Sequence, residues 1–386
     1  MSLSLQASRH RGSTLGPAWS GILVDLDDVC SLWYEHSMPT FAKTRALFDD
    51  ERATVNAVPD DRPIARNLPP PKHKPTSEMP DTLAKPLSPE VRRRLRERSS
   101  EVAKSLERIL GKPFFARNGF VLYNHDCVEA LHAIAKSELR FDLTVTSPPY
   151  NIGKAYEAPM AVEEYVEWSV RWIDAVHSVS TANASFWLNL GYLPVPDKGR
   201  CVPIPYLLWD KTRFHMIQEV VWNYGAGVTS KRFFAPRNEK WLFYVSDPEA
   251  YVFNLDAVRD PNVKYPNQKK NGKFRCNPLG KNPSDVWQFP KVTTGTDRSS
   301  KERTGHPAQF PLGVVERVIR VSSNPGDLVL EPFSGSGSAG IAAVATGRVF
   351  VGFEVSKDYC RISTDRFKRY LDRLDPLSSM GRGAPT

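Results

Sequence analysis

Cysteine is scarce in this chain and poorly spaced for structural work. The five cysteines (Cys30, Cys127, Cys201, Cys276 and Cys360) include no C-x-x-C pair. That spacing excludes a zinc framework and a disulfide scaffold, and makes a reducing compartment the default. The eight histidines are scattered and offer no metal site, so no metal is expected. Long apolar runs are missing: nothing approaches the roughly 18 residues that cross a bilayer, and the first residues lack the apolar core of a secretory signal. No membrane role is expected, and the expected location is the cytoplasm, or the nucleus in a eukaryote. Acidic residues are outnumbered, 43 Asp and Glu against 52 Lys and Arg, for a formal charge of +9. A basic balance favours a polyanionic partner, because each Lys or Arg near a phosphate releases counterions. No internal repeat is visible.

What is present is ordinary globular composition, 41% hydrophobic and 25% charged over 386 residues, enough for one large α/β domain with additions. The organisation read from the sequence is fivefold: an irregular Pro-rich extension over 1–87, a basic helix over 88–115, a catalytic half over 116–250, an insertion over 251–300 and a cofactor-binding half over 301–386. The extension has an apolar patch at Gly21–Val24, a helix around Thr40–Phe48 and recurrent prolines from Pro59 to Pro89, where missing backbone donors and fixed φ favour a linker. Ser88-Pro89-Glu90 reads as N-cap, first helical position and first-turn acid. Val91, Leu95, Val102, Leu106 and Ile109 then recur at near-helical spacing. The run Arg92–Arg94 reads as a solvated helix face, with DNA contact as the alternative.

From about residue 118, short β-branched runs alternate with helices. Strands are expected at Gly119–Tyr123, Phe141–Val145, Ala184–Leu190, Met216–Trp222, Trp241–Val245, Leu328–Leu330 and Val349–Phe353. Helices are expected at Val128–Ser137, Glu163–Val179, Leu312–Val321, Ala339–Thr346 and Asp358–Leu371. This alternation predicts an α/β fold, a mostly parallel twisted sheet covered by helices on both faces. Residues 251–300 read as loop-like, polar and basic.

Two constellations carry chemistry. In the first, Glu331-Pro332-Phe333-Ser334-Gly335-Ser336-Gly337 follows a strand and precedes a helix. Gly335 and Gly337 allow a ligand close to the backbone, and with Gly340 they satisfy G-x-G-x-x-G, so a nicotinamide dehydrogenase has to be considered. Glu354 at the next strand end suits two ribose hydroxyls in either reading. Glu331 helps decide between them: it would repel a pyrophosphate, whereas a cationic cofactor gains a few kcal/mol at most from it, a solvated or salt-bridged strand-end acid being the alternative reading. That favours S-adenosyl-L-methionine over NAD. In the second constellation, Thr146-Ser147-Pro148-Pro149-Tyr150 ends another strand. Two prolines stiffen the segment and leave carbonyls as acceptors. A hydroxyl, a fixed carbonyl and an aromatic plate suit a pocket for an amino-bearing base, a rigid turn being the alternative.

Together these motifs resemble the amino-methyltransferases of DNA, whose base motif reads D/N/S-P-P-Y/F and whose cofactor motif reads F-x-G-x-G. The base motif (147–150) precedes the cofactor motif (333–337), an order similar to the permuted β class. The resemblance covers about 119–372 and implies a Rossmann-like S-adenosylmethionine-dependent methyltransferase fold. Thr304-Gly305-His306-Pro307 resembles the element that closes over the methionine moiety, which assigns His306 and Pro307, with Thr146, Pro332, Phe333 and Ser334, to the cofactor. His306 is read as ordering its loop rather than as a base. Arg237–Trp241 and Gly280–Trp287 are also similar to family elements. Asp126 matches the acid near the adenine amino group, with a helix N-cap as its other reading. The resemblance does not extend to the first 115 residues.

Within the family, Ser at the first base-motif position is typical of cytosine-N4 enzymes and Asp of adenine-N6 enzymes, so Ser147 implies N4-methylcytosine, with adenine-N6 as the alternative. Cytosine-C5 chemistry needs a thiolate, normally from Pro-Cys, and none of the cysteines follows a proline. Ser147, Pro148, Pro149 and Tyr150 are the expected catalytic set, acting on a cytosine flipped from double-stranded DNA. Lys231 and Arg232 in Thr229–Phe234, with Arg237, Lys269 and Lys270, are the expected DNA contacts, and 251–300 is the expected target-recognition segment. Restriction-modification and the cytoplasm of a bacterium or archaeon are what the resemblance implies. A restriction endonuclease partner, monomer versus dimer, an RNA or protein methyltransferase and a non-catalytic DNA-binding module stay open.

Overall fold

The computed structural model describes residues 87–374, apart from 155–156, 159, 226–229 and 293–301. The expected patch at Gly21–Val24, the helix at Thr40–Phe48, nearly all of the proline-rich stretch and Thr229 lie outside the described residues. The first helix, α1 (Pro89–Leu110), starts where local chemistry dictates. Ser88 Oγ accepts from Val91 N at 3.3 Å, and Pro89, with no amide to leave orphaned, takes the first turn. Leu95, Ser99, Val102 and Leu106 form its buried stripe. Arg93 pairs with Glu97 and Arg94 with Glu90 one turn away, which accounts for two of the three arginines as a solvated face.

The strands are β1 (Phe115–Arg117), β2 (Phe120–Tyr123), β3 (Phe141–Thr146), β4 (Ser180–Leu190), β5 (Tyr192–Val195), β6 (Gly199–Pro203), β7 (His215–Asn223), β8 (Asn238–Val245), β9 (Lys269–Lys270), β10 (Lys273–Phe274), β11 (Val286–Gln288), β12 (Leu328–Glu331) and β13 (Val349–Phe353). The further helices are α2 (Cys127–Ala135), α3 (Val162–Ser178), the short α4 (Pro205–Leu208), α5 (Leu312–Ser322), α6 (Ser338–Ala345) and α7 (Lys357–Leu374). Nine strands make one sheet in the order β1-β2-β13-β12-β3-β4-β8-β7-β11. From β2 to β4 every pairing is parallel, and β8 enters antiparallel between β4 and β7. Every residue of β2, β12 and β13 is buried, as strands covered on both faces must be.

The strand order decides where the motifs meet. β12 pairs with β3 in parallel, Val329 beside Leu143 and Leu330 beside Thr144. The glycine turn and the base motif therefore leave the sheet side by side at the carboxyl edge, where the chain order reverses and open α/β sheets place ligands.

Each expected strand and helix from 119 to 371 is present, with ends shifted by a few residues. β4 starts four residues earlier than expected. Segment 251–300 departs from the loop-like expectation. Asn271 and Gly272 take positive φ (53° and 77°) and close a two-residue hairpin between β9 and β10, the geometry an Asn-Gly pair favours. β11 joins the main sheet parallel to β7, Trp287 beside Trp222. Among the described residues no helix is long and apolar enough to cross a membrane.

Candidate active site

The glycine turn after β12 is built by backbone geometry that side chains would obstruct. Gly335 and Gly337 both have positive φ (50° and 74°). A Cβ on Gly337 would lie 2.2 Å from Ser363 Oγ, and one on Gly335 would lie 2.9 Å from His306 Nε2. The strap carrying His306 therefore crosses directly over the turn. Gly335 N donates to Glu354 Oε2 at 2.9 Å and Ser334 N to the Phe353 carbonyl at 2.8 Å, tying the turn to the end of β13. Phe333 packs edge-on against Trp172 of α3, 5.2 Å between centroids.

Beneath the turn lies a buried charge cluster. Arg366 of α7 donates to the Ser336 carbonyl and to Ser338 Oγ (3.2 and 2.7 Å), with Glu302 at 3.6 Å. Burial lowers its pKa to about 10 although Glu302 opposes the shift. Glu302 Oε2 accepts from Leu312 N at 2.9 Å, capping α5. Glu331 is 2% exposed and its Oε2 accepts no hydrogen bond. Burial, and then Glu354, push its carboxyl well above the usual range, with Arg366 opposing. Thr146 Oγ1 and Ser334 Oγ are likewise buried without hydrogen-bond partners. Orphaned oxygens around a buried acid that Arg366 only partly offsets fit a ligand that brings a cation and N–H donors. The residues present thus suit the ammonium and sulfonium of S-adenosylmethionine.

The rest of the expected cofactor set gathers at the same edge. Asp126 sits just past β2 as the N-cap of α2, its Oδ1 accepting from Val128 N and Glu129 N (2.8 and 3.1 Å). Asn124 Nδ2 bonds the carbonyls of Glu354 and Val355, which holds the ends of β2 and β13 together. Glu354 Oε1 accepts from Ser356 N at 2.8 Å. His306 has its pKa lowered to about 4, chiefly by burial. Its Nδ1 accepts from Ala308 N at 3.2 Å, so the neutral ring orders the strap. Pro307 is exposed on the strap, and Pro332 lies in the turn.

In the base motif, Ser147 Oγ donates to Tyr150 Oη at 2.9 Å. Tyr150 Oη lies 2.8 Å from Asn189 Oδ1 and 3.3 Å from Glu239 Oε2. The ring lies against Gly191, where a Cβ would stand 2.8 Å from Cε2. Tyr165 Oη donates to the Pro149 carbonyl at 3.0 Å, and Glu157 accepts from Tyr150 N and Ile152 N (2.8 and 2.7 Å). Lys291 Nζ pairs with Glu239 Oε1 at 3.0 Å and lies 3.8 Å from the centre of the Tyr224 ring. Burial pulls the Lys291 pKa down, but Glu239 and Tyr224 raise it on balance, so the ammonium is retained.

Asn189, Gly191, Glu157, Lys291 and Arg366 escaped the sequence reading. Asn189 had a signal: it interrupts the apolar run Phe186–Leu190 and is fully buried. Glu157 acts within seven residues of the base motif, with no pattern to mark it; Gly191, Lys291 and Arg366 act across long stretches of chain. Of the expected DNA contacts, Lys231 and Arg232 are exposed on the β7–β8 loop and Arg237 stands at its foot. Lys269 and Lys270 lie on the separate β9–β10 ribbon, Lys269 over the Phe274 ring at 4.7 Å.

Comparison with known proteins agrees with this geometry. Residues 141–365 match the DNA methylase family of N6 and N4 methyltransferases. Type II methyltransferase M.ScaI of Streptomyces caespitosus is 57% identical over 263 residues, 68% of this chain and 86% of that one. DNA adenine methyltransferase YhdJ of Escherichia coli (strain K12) is 30% identical over 261 residues, 63% of this chain and 84% of that one. The solved PvuII DNA methyltransferase (cytosine-N4-specific) superposes with a TM-score of 0.53 at 18% identity, covering 69% of this chain and 95% of that one, and so shares the fold. The family's methyl donor is S-adenosylmethionine, for which the orphaned acceptors at Glu331 and Thr146 are suited. Motif order, strand order and family match lead to one conclusion: this chain belongs to the N6/N4 DNA methylase family.

Proposed function

We propose that the protein methylates the exocyclic N4 amino group of a cytosine flipped out of double-stranded DNA, as the modification enzyme of a type II restriction-modification system in a bacterial or archaeal cytoplasm. The observation that carries the cytosine reading is Ser147 at the first position of the base motif, where adenine-N6 enzymes of the family typically have Asp. The Ser147 O–H donates a hydrogen bond to Tyr150 Oη, which leaves the serine oxygen lone pairs for an amino group. Ser147 Oγ and the Pro148 carbonyl accept the two N–H bonds and draw the nitrogen toward pyramidal geometry, localising its lone pair. Tyr150, anchored at Oη and pressed by Gly191, presents a fixed ring for stacking, and such orientation supplies much of the acceleration. The line from Ser147 Oγ through Tyr150 Oη to Glu239 is a route for the proton that the alkylated nitrogen must lose.

S-adenosylmethionine, when bound, supplies an electrophilic methyl group on a sulfonium. Glu331, Thr146, Ser334 and the strap bearing His306 and Pro307 would hold its amino-acid end. Glu354 would take the ribose hydroxyls and Asp126 the adenine amino group, with Pro332, Phe333, Gly335 and Gly337 shaping the floor. Lys231, Arg232 and Arg237 would meet phosphates at the active edge, and Lys269 and Lys270 would do so from the ribbon in the target-recognition segment.

Adenine-N6 methylation is the second reading, supported by the relation to an adenine methyltransferase. The test is incubation with an unmethylated plasmid of known sequence and methyl-labelled S-adenosylmethionine, followed by nucleoside mass spectrometry and mapping of the modified positions. Label in N4-methylcytosine is the expected result. Label in N6-methyladenine overturns the base assignment, and no labelled base overturns the proposal.

A further inference from the structure

The loop between β7 and β8 projects two aromatic rings that the fold does not use. Phe234 is fully exposed (101%) and Phe233 nearly half exposed. Two other exposed aromatics carry a cation over the ring, Lys264 over Tyr265 and Lys269 over Phe274; Tyr206 and Trp209, exposed at 71% and 52%, lie elsewhere, at the short α4. Phe234 has no ring or cation partner among the described residues. An aromatic left wholly in water forgoes the burial that makes such a residue useful, so its value lies in what covers it.

The loop's base is pinned beside the base motif. Tyr224 N donates to the Arg237 carbonyl at 3.1 Å, closing the two feet, and Lys291 rests on the Tyr224 ring. Two residues past Arg237, Glu239 touches Tyr150 Oη. Pro236 restricts Ala235 to extended backbone, and five residues of chain place Phe234 at most about 17 Å from Glu239. That is the scale of a groove crossing, about 12 Å for the major groove. Residues 224–237 contain Lys231, Arg232 and Arg237 and no acid. An apolar tip on a wholly cationic stem fits a polyanion with an apolar interior, which is the description of a base stack.

We infer that Phe234 is a wedge. It enters the duplex where the target base leaves and stacks on the orphaned partner base, offsetting the unstacking that flipping requires. This rests on the flipped-base reading above, and the experiment separates the two. The substrate is a duplex oligonucleotide carrying the mapped methylation sequence, with pyrrolocytosine, a fluorescent cytosine analogue that pairs with guanine, at the target position for fluorescence or the natural target base for single-turnover rates. Each is prepared once fully paired and once with an abasic site opposite the target. Phe234→Ala should lower both the fluorescence rise and the rate on the paired duplex about tenfold or more, since base–aromatic stacking is worth roughly 5- to 150-fold. The abasic duplex, with no pair to open, should restore the variant, and Phe234→Trp should retain function. Unchanged melting temperature establishes that the fold is intact, as expected for an exposed position.

Wild-type behaviour of Phe234→Ala, or an equal defect on both duplexes, overturns the wedge; the equal defect would mean mere grip on DNA. Loss of a wild-type dimer in Phe234→Ala, with paired-duplex kinetics unchanged, assigns the patch to a second copy and overturns it too. Wild-type protein that methylates without any fluorescence rise refutes flipping itself, and the wedge with it.

Discussion

Glu331→Gln separates the cost of a buried acid from its use. The substitution keeps the shape and removes the charge at a group that is fully buried, has an unbonded Oε2 and lies near Glu354 and Arg366. At about 4 Å and an effective dielectric near 20, a carboxylate and a unit cation attract by about 4 kcal/mol. Deprotonating the buried acid consumes part of this and leaves about 2–3 kcal/mol, so S-adenosylmethionine should bind roughly 30- to 150-fold more weakly to the variant. Without cofactor the effect reverses. Between the ordinary carboxyl pKa of 4.5 and the raised value, the folded chain holds a proton that the unfolded chain has lost, so stability falls as pH rises through that window. The glutamine escapes this loss, and the ligand-free variant should melt higher than the wild type at neutral pH. A bound cation favours the ionised acid, so cofactor binding should release a proton and tighten by up to about tenfold per pH unit below the raised pKa. Titration calorimetry across a pH series, in buffers of different ionisation enthalpy, reads affinity and proton release together. Glu354, also raised by burial, stays in the variant, so the expected result is a reduced slope. Wild-type affinity with an unchanged slope in Glu331→Gln would refute the reasoning.

Three further substitutions test neighbouring links. Ser147→Ala should slow single-turnover methylation about a hundredfold, the order of a positioned polar group in a reacting site, with cofactor affinity intact by calorimetry. Gly191→Ala puts a methyl 2.8 Å from the Tyr150 ring, and should depress turnover while leaving cofactor binding unchanged. Gly337→Ala combines a φ of 74° with a Cβ 2.2 Å from Ser363 Oγ; strain of about 1–3 kcal/mol should appear as a lower melting temperature and weaker cofactor binding.

Local signals determined a good deal by themselves. The Ser88-Pro89 start of α1, the apolar strand runs and the glycine turn each depend on residues within a few positions of one another, and each could be read as written. The acid at Glu331 was legible for the same reason, because its position after a strand and before the turn states what charge a ligand meets. The hairpin at Asn271–Gly272 was equally local, yet the polar, basic character of its surroundings masked it. What tertiary structure alone decided is which distant pieces share a boundary. Parallel pairing of β12 with β3 sets motifs nearly two hundred residues apart side by side, and no local periodicity specifies a neighbour in a sheet. The support for Tyr150 is assembled from Asn189 and Gly191 at the end of β4, Glu239 on β8 and Lys291 beyond β11. Arg366 reaches the glycine turn from the last helix. Such side chains act through contacts made only once the strand order is set, so their roles became visible only in three dimensions.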